Sequence, residues 1–210
     1  MAQAYKTVSA YGSEEFIINK SRFIGHARPV SSQEEALDFL NDMRLKYKDA
    51  SHNCFAYIVG QNAGIQRYSD DGEPSGTAGL PIIEVVKAQN VVDVCVVVTR
   101  YFGGVLLGAA GLVRAYTQGA VVGLKAAKVV TMHRTHHYLF DVDYSLLGRV
   151  DHWLESQPIR MESRDFGACV TLGVKVKEAD APAFLKGLSE VTQGKAEPLL
   201  AEEGYDGWES

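Results

Sequence analysis

A chain of 210 residues, 46% apolar and 22% charged, has apolar content for a buried core and length for two small domains. Its net charge of −5 argues against a nucleic-acid binder that works through its overall field. The imbalance is local: residues 1–127 carry twelve basic and twelve acidic side chains and residues 128–210 nine and fourteen, so any contact with RNA is expected on a patch of the N-terminal part.

The N-terminus "MAQAYKTVSAYGSEEF" lacks a basic segment followed by an apolar run, so a cytoplasmic chain without a secretory signal is expected. From there "YKTVSAY", "EFIINKS" and "RFIGHARPV" alternate as two or three short strands, with a turn expected at Gly12-Ser13. After Pro29, Ser32 and Glu35 make a capping-box pattern that opens a helix. Its apolar face is Leu37, Leu40 and Met43, with Phe39. "NCFAYIVG" and "IQRYS" read as a hairpin around Gly60-Gln61-Asn62.

The loop "YSDDGEPSGTAGLP" follows, and Ala78 to Gln89 is predicted helical, with Pro81 in its first turn. "VVDVCVVVT" is β-branched and apolar on both faces, as in a central strand buried on both sides. It ends in "RYFGG", ahead of "VLLGAAGLVRAYTQGAVVGLKAA". Residues 105–124 of that stretch are mostly apolar, but Arg114 at the centre would cost roughly 2.5–3.5 kcal/mol in a bilayer. Gly111, Ala115, Gly119 and Gly123 recur every fourth residue, so the expectation is a buried helix lying tight on the sheet and no membrane span.

Beyond about residue 128 the texture changes. "VVTMHRTHHYLFDVDY" reads as a strand and "SLLGRVDHWLESQ" as a helix, then "IRMESRDFG" and "ACVTLGVKVK" as a hairpin. "EADAPAFLKGLSEVTQG" reads as a helix and "KAEPLL" as a last strand. The order β-α-β-β-α-β is the ferredoxin-like pattern, and it places a domain boundary at residues 130/131, within the stretch 128–137. His133, His136 and His137 lack acidic or thiol companions at ligand spacing, and are expected to alternate in and out on an edge strand. Cys54, Cys95 and Cys169 fit neither a disulfide framework nor a zinc spacing, so reduced thiols and no metal are expected.

The loop of residues 68–81 poses the chemical question, because it holds Asp70, Asp71 and Glu73 among glycines. Ser75, Gly76, Thr77 and Gly79 precede a helix, where free N–H groups and hydroxyls can converge on an anion. Gly103 and Gly104, with Gly108 and Gly111, open the next helix in the same way. Neither passage is a P-loop or a Rossmann fingerprint. The carboxylates have three possible tasks: holding Mg²⁺, acid/base work, or fixing the loop by accepting from its amides and pairing with Arg67, Arg100 and Arg114. The third is favoured, since arginines in apolar elements need partners. Within it, Arg114 is expected to be the structural partner and Arg100 to face a ligand. His52 and Cys54 share a strand face, but thiol activation requires an imidazole within hydrogen-bond reach. Tyr101, Phe102 and Tyr116 beside the two arginines are the ingredients of single-strand stacking, or else core aromatics at a strand end.

The run "SHNCFAYIVG…YSDDGEPSGTAGLPIIEVV…VVVVTRYFGGVLLGAAGLVRAYTQGA" resembles the IMPACT/YigZ family over about residues 16–127. The two carrying segments, "DDGEPSGTAG" and "TRYFGG…LGAAGLVRAY", are long and distinctive. The resemblance implies an α+β protein: a domain like the second domain of ribosomal protein S5 over residues 1–130, then a ferredoxin-like domain over 131–210 similar to the last domain of the ribosomal translocase. It also carries over His52, Asp70, Asp71, Gly72, Glu73, Pro74, Ser75, Gly76, Thr77, Gly79, Arg100, Tyr101, Gly103, Gly104, Gly108, Gly111, Arg114 and Tyr116. Eukaryotic members restrain activation of a translation-initiation-factor kinase, using an additional N-terminal domain that this chain is expected to lack. Bacterial-type members are suspected of binding RNA or the ribosome. The resemblance therefore implies a non-enzymatic regulator in translation, with RNA, the ribosome or a protein as partner, and no cofactor. The S5-like fold also serves small-molecule kinases, which keeps open a phosphorylated ligand between the two glycine loops.

Overall fold

The computed structural model describes residues 4–208, which divide into two compact units meeting at residues 131 and 132. Both units are mixed α+β with antiparallel strand pairing.

The first unit runs β1 (Ala4–Val8), β2 (Gly12–Ile18), β3 (Ser21–Pro29), α1 (Gln33–Lys46), β4 (His52–Val59), β5 (Ile65–Ser69), α2 (Gly79–Ala88), β6 (Val94–Tyr101) and α3 (Gly108–Ala126). Its main sheet has the order β2-β3-β6-β4-β5, so the β-branched run forms the middle strand, buried from Val94 to Arg100. Helix α1 covers β4 and β6 on one face, while α2 and α3 cover the other. The capping box forms in part: Ser32 Oγ accepts from Glu35 N at 3.1 Å, but the Glu35 carboxylate reaches back one residue further, to Ser31 N at 2.6 Å. The buried face of α1 is Ala36, Phe39, Leu40 and Met43, and Leu37, expected inside, is exposed.

Gly12-Ser13 is not a turn. Gly12 opens β2, and the reversal falls at Asn19-Lys20, whose φ values of 45° and 66° make the two-residue hairpin connection. The small-residue stripe of α3 does its predicted work at one end. A Cβ on Gly25 of β3 would stand 1.9 Å from the Gly119 carbonyl oxygen, and one on Gly119 would stand 2.6 Å from Val98 of β6. The helix therefore rests directly on the β3 backbone and against the Val98 side chain of β6. Gly111 is not part of this contact, since the atoms nearest its Cβ position belong to Leu107.

The second unit comprises most of β7 (Val129–Val142), then α4 (Tyr144–Leu154), β8 (Ile159–Phe166), β9 (Val170–Lys177), α5 (Ala181–Thr192) and β10 (Leu199–Trp208). Its strands lie in the order β10-β7-β9-β8. Tyr138, Phe140 and Val142 of β7, with Val170, Leu172, Val174 and Val176 of β9, point every second residue into a core shared with α4 and α5. The last strand starts at Leu199, beyond Pro198, and continues through an exposed acidic segment that periodicity does not mark. Strand β7 is not an edge, because β10 pairs with it. Glu178 and Glu203 also approach His136 Nε2, each at 3.8 Å, an acidic companionship invisible in the spacing.

Candidate functional site

The carried-over residues converge at one end of the first unit's main sheet. Register brings His52, which opens β4, opposite Arg100 near the end of β6, and Arg22 of β3 opposite Tyr101. Strands β5 and β6 run parallel through their common neighbour β4, so both strand-to-helix loops emerge at this end.

The first loop closes on itself. Asp70 Oδ1 accepts from Ala78 N at 3.0 Å and Gly79 N at 2.8 Å, and Oδ2 accepts from Gly76 N at 2.9 Å. The anion at the start of α2 is thus the loop's own carboxylate, which fills the place expected for an external one. Burial works against the charge of Asp70, but the N–H groups of Gly76, Gly79 and Ala78 together outweigh it and hold the carboxyl below the ordinary range. Asp71 adopts φ 45° and its Oδ2 accepts from Asn53 N at 2.6 Å, fixing the loop to the start of β4. Thr77 Oγ1 donates to the Pro74 carbonyl at 2.6 Å, and Ser75 stands exposed.

Glu73 turns inward. Its Oε1 accepts from Arg100 Nη1 at 2.7 Å and from the Tyr116 hydroxyl at 2.7 Å, and all three side chains are buried. Burial, together with the neighbouring Cys54 thiol and Glu73 carboxylate, pushes the Tyr116 phenol up, so it stays a donor. Arg100 also reaches Ser21 Oγ at 3.4 Å, and its guanidinium lies against the Phe23 and Phe102 rings at 5.5 and 5.4 Å. Of the three carboxylates, Glu73 alone takes an arginine.

The two arginines exchange the roles expected of them. Arg100 is the structural one, whereas Arg114 is exposed and makes no ion pair among the described residues. The reason is helical phase. Leu112, Ala115, Tyr116 and Gly119 face inward, and Arg114 falls on the opposite side. Arg67 also stays out, exposed on β5 and donating to the Gln66 carbonyl.

His52 Nδ1 lies 2.8 Å from the Asp71 carbonyl oxygen, so this nitrogen must carry the proton, and Nε2 stands 3.8 Å from Glu73 Oε1. The Cys54 thiol donates to the Asp70 carbonyl at 2.9 Å, and burial pushes it up. A carbonyl-bound, neutral thiol is no nucleophile at neutral pH. Among the described residues no three His, Cys, Asp or Glu side chains cluster as metal ligands.

The second loop stays open. Gly103 N donates to Ser21 Oγ at 3.2 Å, and a Cβ there would stand 2.1 Å from the Lys20 backbone. Gly104 adopts φ 80° with free space around it, and α3 starts without a side-chain cap. Around this loop Phe102 is 48% exposed, and Tyr101 carries the Arg22 guanidinium 5.5 Å from its ring and donates to Asp49 at 2.9 Å. Phe102, Arg22 and Asp49 belong to this rim and were not among the carried-over residues. The cross-strand place of Arg22 opposite Tyr101 becomes readable only once the β3–β6 register is known.

Two α+β units, the first with a self-capped acidic glycine loop beside an open glycine loop, define the class, and comparison gives the family. The Impact N-terminal domain matches residues 19–124, and a domain of unknown function, DUF1949, matches residues 140–195. The chain belongs to the IMPACT family. It is 40% identical over 205 residues to IMPACT family member YvyE of Bacillus subtilis, covering 98% of this chain and 94% of that protein. It is 33% identical over 190 residues to IMPACT family member YigZ of Escherichia coli, covering 89% and 92%. Protein IMPACT of Xenopus laevis shares 37% identity over 94 residues, 42% of this chain and 30% of that one. A solved crystal structure described as that of an hypothetical protein is 29% identical, covers 96% of this chain and 99% of its own, and superposes with a TM-score of 0.61. Among the described residues no helix is long and apolar enough to cross a membrane.

Proposed function

We propose that the chain is a non-enzymatic, translation-associated regulator of the cytoplasm whose first unit binds single-stranded RNA, free or on the ribosome. The observation that carries this reading is the end of β6. Two neighbouring aromatic rings, Tyr101 and Phe102, each lie against a guanidinium, and Phe102 is half exposed beside the open glycine loop. An exposed ring gives bases a stacking surface, and the free Arg114 supplies charge for phosphates, whereas Arg22 at the rim is already paired with Glu15 at 2.7 Å. Family membership supports the link to translation, through the resemblance drawn from the sequence. We assign the finer folds on the same footing. The β-α-β-β-α-β order with strands in the order β10-β7-β9-β8 supports a ferredoxin-like second unit, and the first unit is assigned as S5-like by resemblance.

The test is fluorescence anisotropy with a labelled single-stranded RNA across a salt series. Phe102→Ala is expected to weaken binding by roughly 1–3 kcal/mol, and Arg114→Ala to flatten the slope of log K against log salt by about 0.7. Wild-type protein that leaves the RNA free at 50 mM salt would overturn the reading. One observation favours a second reading, a phosphorylated small molecule: α3 begins uncapped beside Gly104 and Gly108, both at positive φ with open space. A thermal shift with nucleotides or sugar phosphates, in protein that ignores RNA, would select it.

A further inference from the structure

The second unit carries a feature on separate residues. One face of its sheet is covered by α4 and α5, and the other bears a row of side chains in register. His137 of β7 lies opposite Lys175 of β9, Lys175 lies opposite Arg160 of β8, and one step along the strands Thr135 lies opposite Lys177. The end of β10 crosses this row. Lys175 Nζ donates to Asp206 Oδ1 at 2.9 Å, Arg160 Nη2 to the Gly207 carbonyl at 2.5 Å, and Trp208 Nε1 to Thr135 Oγ1 at 2.9 Å. The Arg160 guanidinium and the Lys177 ammonium stand 4.9 and 5.2 Å from the indole centroid. These contacts reach three strands, a span of about 10 Å at the usual strand spacing, because the long Lys175 and Arg160 side chains stretch across the face to the end of β10, which is itself paired with β7.

Its attachment is polar, made of the backbone pairing of β10 with β7 and the side-chain contacts at its end. No residue of β10 belongs to the unit's apolar core among the described residues, and Leu199–Gly204 are exposed. Lys175 has a second carboxylate near it, Glu162 at 3.7 Å, and Arg134 holds Glu203 at 3.1 Å. The Arg134–Glu203 pair is exposed, and such pairs are weak and screened by salt, while the Lys175 pairs are half-buried.

We propose that this face is a binding site for single-stranded RNA, and that Asp206–Trp208 occupy it as an internal mimic. The indole lies against Arg160 where a base would stack, and the Asp206 carboxylate meets Lys175 where a phosphate would. The Thr135 hydroxyl, which now accepts from the indole N–H, can equally pair with a base edge or a ribose hydroxyl. A four-stranded sheet backed by two helices is a common platform for such strands. Displacement of the tail uncovers Arg160, Lys175 and Lys177 together. The site is therefore closed in the free protein and opens to a competitor that offers a ring and an anion at once.

The experiment uses the full chain and a labelled twelve-nucleotide oligouridylate between 50 and 200 mM KCl. Asp206→Asn with Trp208→Ala is expected to bind about tenfold tighter than wild type at 50 mM and to steepen the salt slope by about 1.4–2, as two or three new phosphate contacts require. Adding Arg160→Gln and Lys177→Gln should remove the gain. Asp206→Asn alone, which keeps every backbone contact, should give part of it. Trp153 fluorescence reports whether the unit stays folded. An unchanged affinity in folded variants overturns the proposal, as does a gain that survives Arg160→Gln with Lys177→Gln. Dimerisation without RNA gain also overturns it, since the uncovered face would then take a second copy of this chain in place of RNA. Placing the tail variants on Phe102→Ala separates this site from the first unit's: the gain should persist there, even in a protein whose first unit ignores RNA.

Discussion

Replacing Arg100 by Ala is the most informative perturbation of the first unit. The side chains of Arg100 and Glu73 are 6% and 3% exposed, and they meet at 2.7 Å. Without the guanidinium, the Glu73 carboxylate keeps the Tyr116 hydroxyl as its hydrogen-bond donor and stays buried. Breaking a buried pair in this way costs about 3–5 kcal/mol. At about 3–5 °C per kcal/mol for a unit of this size, the melting temperature should fall on the order of 10–20 °C. Arg114→Ala removes an exposed, unpaired charge and should stay within about 0.5 kcal/mol of wild type. Arg100→Met combined with Glu73→Gln removes both charges, and should cost less than Arg100→Ala alone. Calorimetry gives the melting temperatures, and amide exchange in β4 and β6 assigns them to the first unit. Both tryptophans, Trp153 and Trp208, belong to the second unit, so their fluorescence serves as an internal control. An Arg100→Ala protein whose first unit melts no lower than that of Arg114→Ala would refute the reasoning.

Two pH windows should also separate. The folded His26 ring is held near 4 by burial, with the Lys46 charge adding to it, while an unfolded ring titrates near 6.5. The unfolded chain therefore takes up a proton first, and stability should fall as pH drops from about 6.5 to about 4. The ring's hydrogen-bond neighbours are Tyr11 and Thr99, and His26→Gln should flatten that limb in urea titrations read by far-UV circular dichroism. Asp70 has the opposite charge type and a depressed folded value, so its contribution is complete above an unfolded pKa of about 3.9 and fades below it. Asp70→Ala should cost about 1–2 kcal/mol at pH 7 and progressively less as pH falls below about 3.9, because protonation then weakens the same cap on α2 in the wild type.

The elements were legible where a local pattern had a single physical meaning. The run Val94–Val98 reads as a central strand because both faces are apolar, and the α3 glycines read as a contact stripe because nothing larger fits over Gly25. Gly12 misleads because its glycine serves an approach to Ala126, a non-local cause that looks like a local turn signal. The roles of Arg100 and Arg114 had a readable clue for the second of them. Arg114 sits one residue from Ala115, hence about 100° from the stripe that faces the sheet. For Arg100 the deciding fact is its register with His52 and the inward turn of Glu73, which no local pattern encodes. Strand β10 escaped because its strand character comes from pairing with β7, a non-local partner, and an exposed acidic segment has no hydrophobic period to read.

The acidic glycine loop seemed to want an anion and to repel one at once. In the fold each carboxylate has its own donors: α2 amides for Asp70, the Asn53 amide for Asp71, and Arg100 with Tyr116 for Glu73. The backbone arranges this division. Asp71 and Gly72 take φ 45° and 86° in succession, a twist that turns the following side chain back towards the sheet and delivers Glu73 to Arg100. A glycine is required at the second of these positions for its conformation rather than for space, since a Cβ there would meet the His52 ring at an ordinary 3.5 Å. Once its amides and charges are spent internally, the loop contributes shape and rigidity to the rim. On the RNA-binding reading proposed above, recognition draws on the second loop, where Phe102 is exposed and the α3 amides have no side-chain cap, and on the unpaired Arg114. That open loop is held at Gly103, by Ser21 and the Lys20 backbone of the β2–β3 reversal.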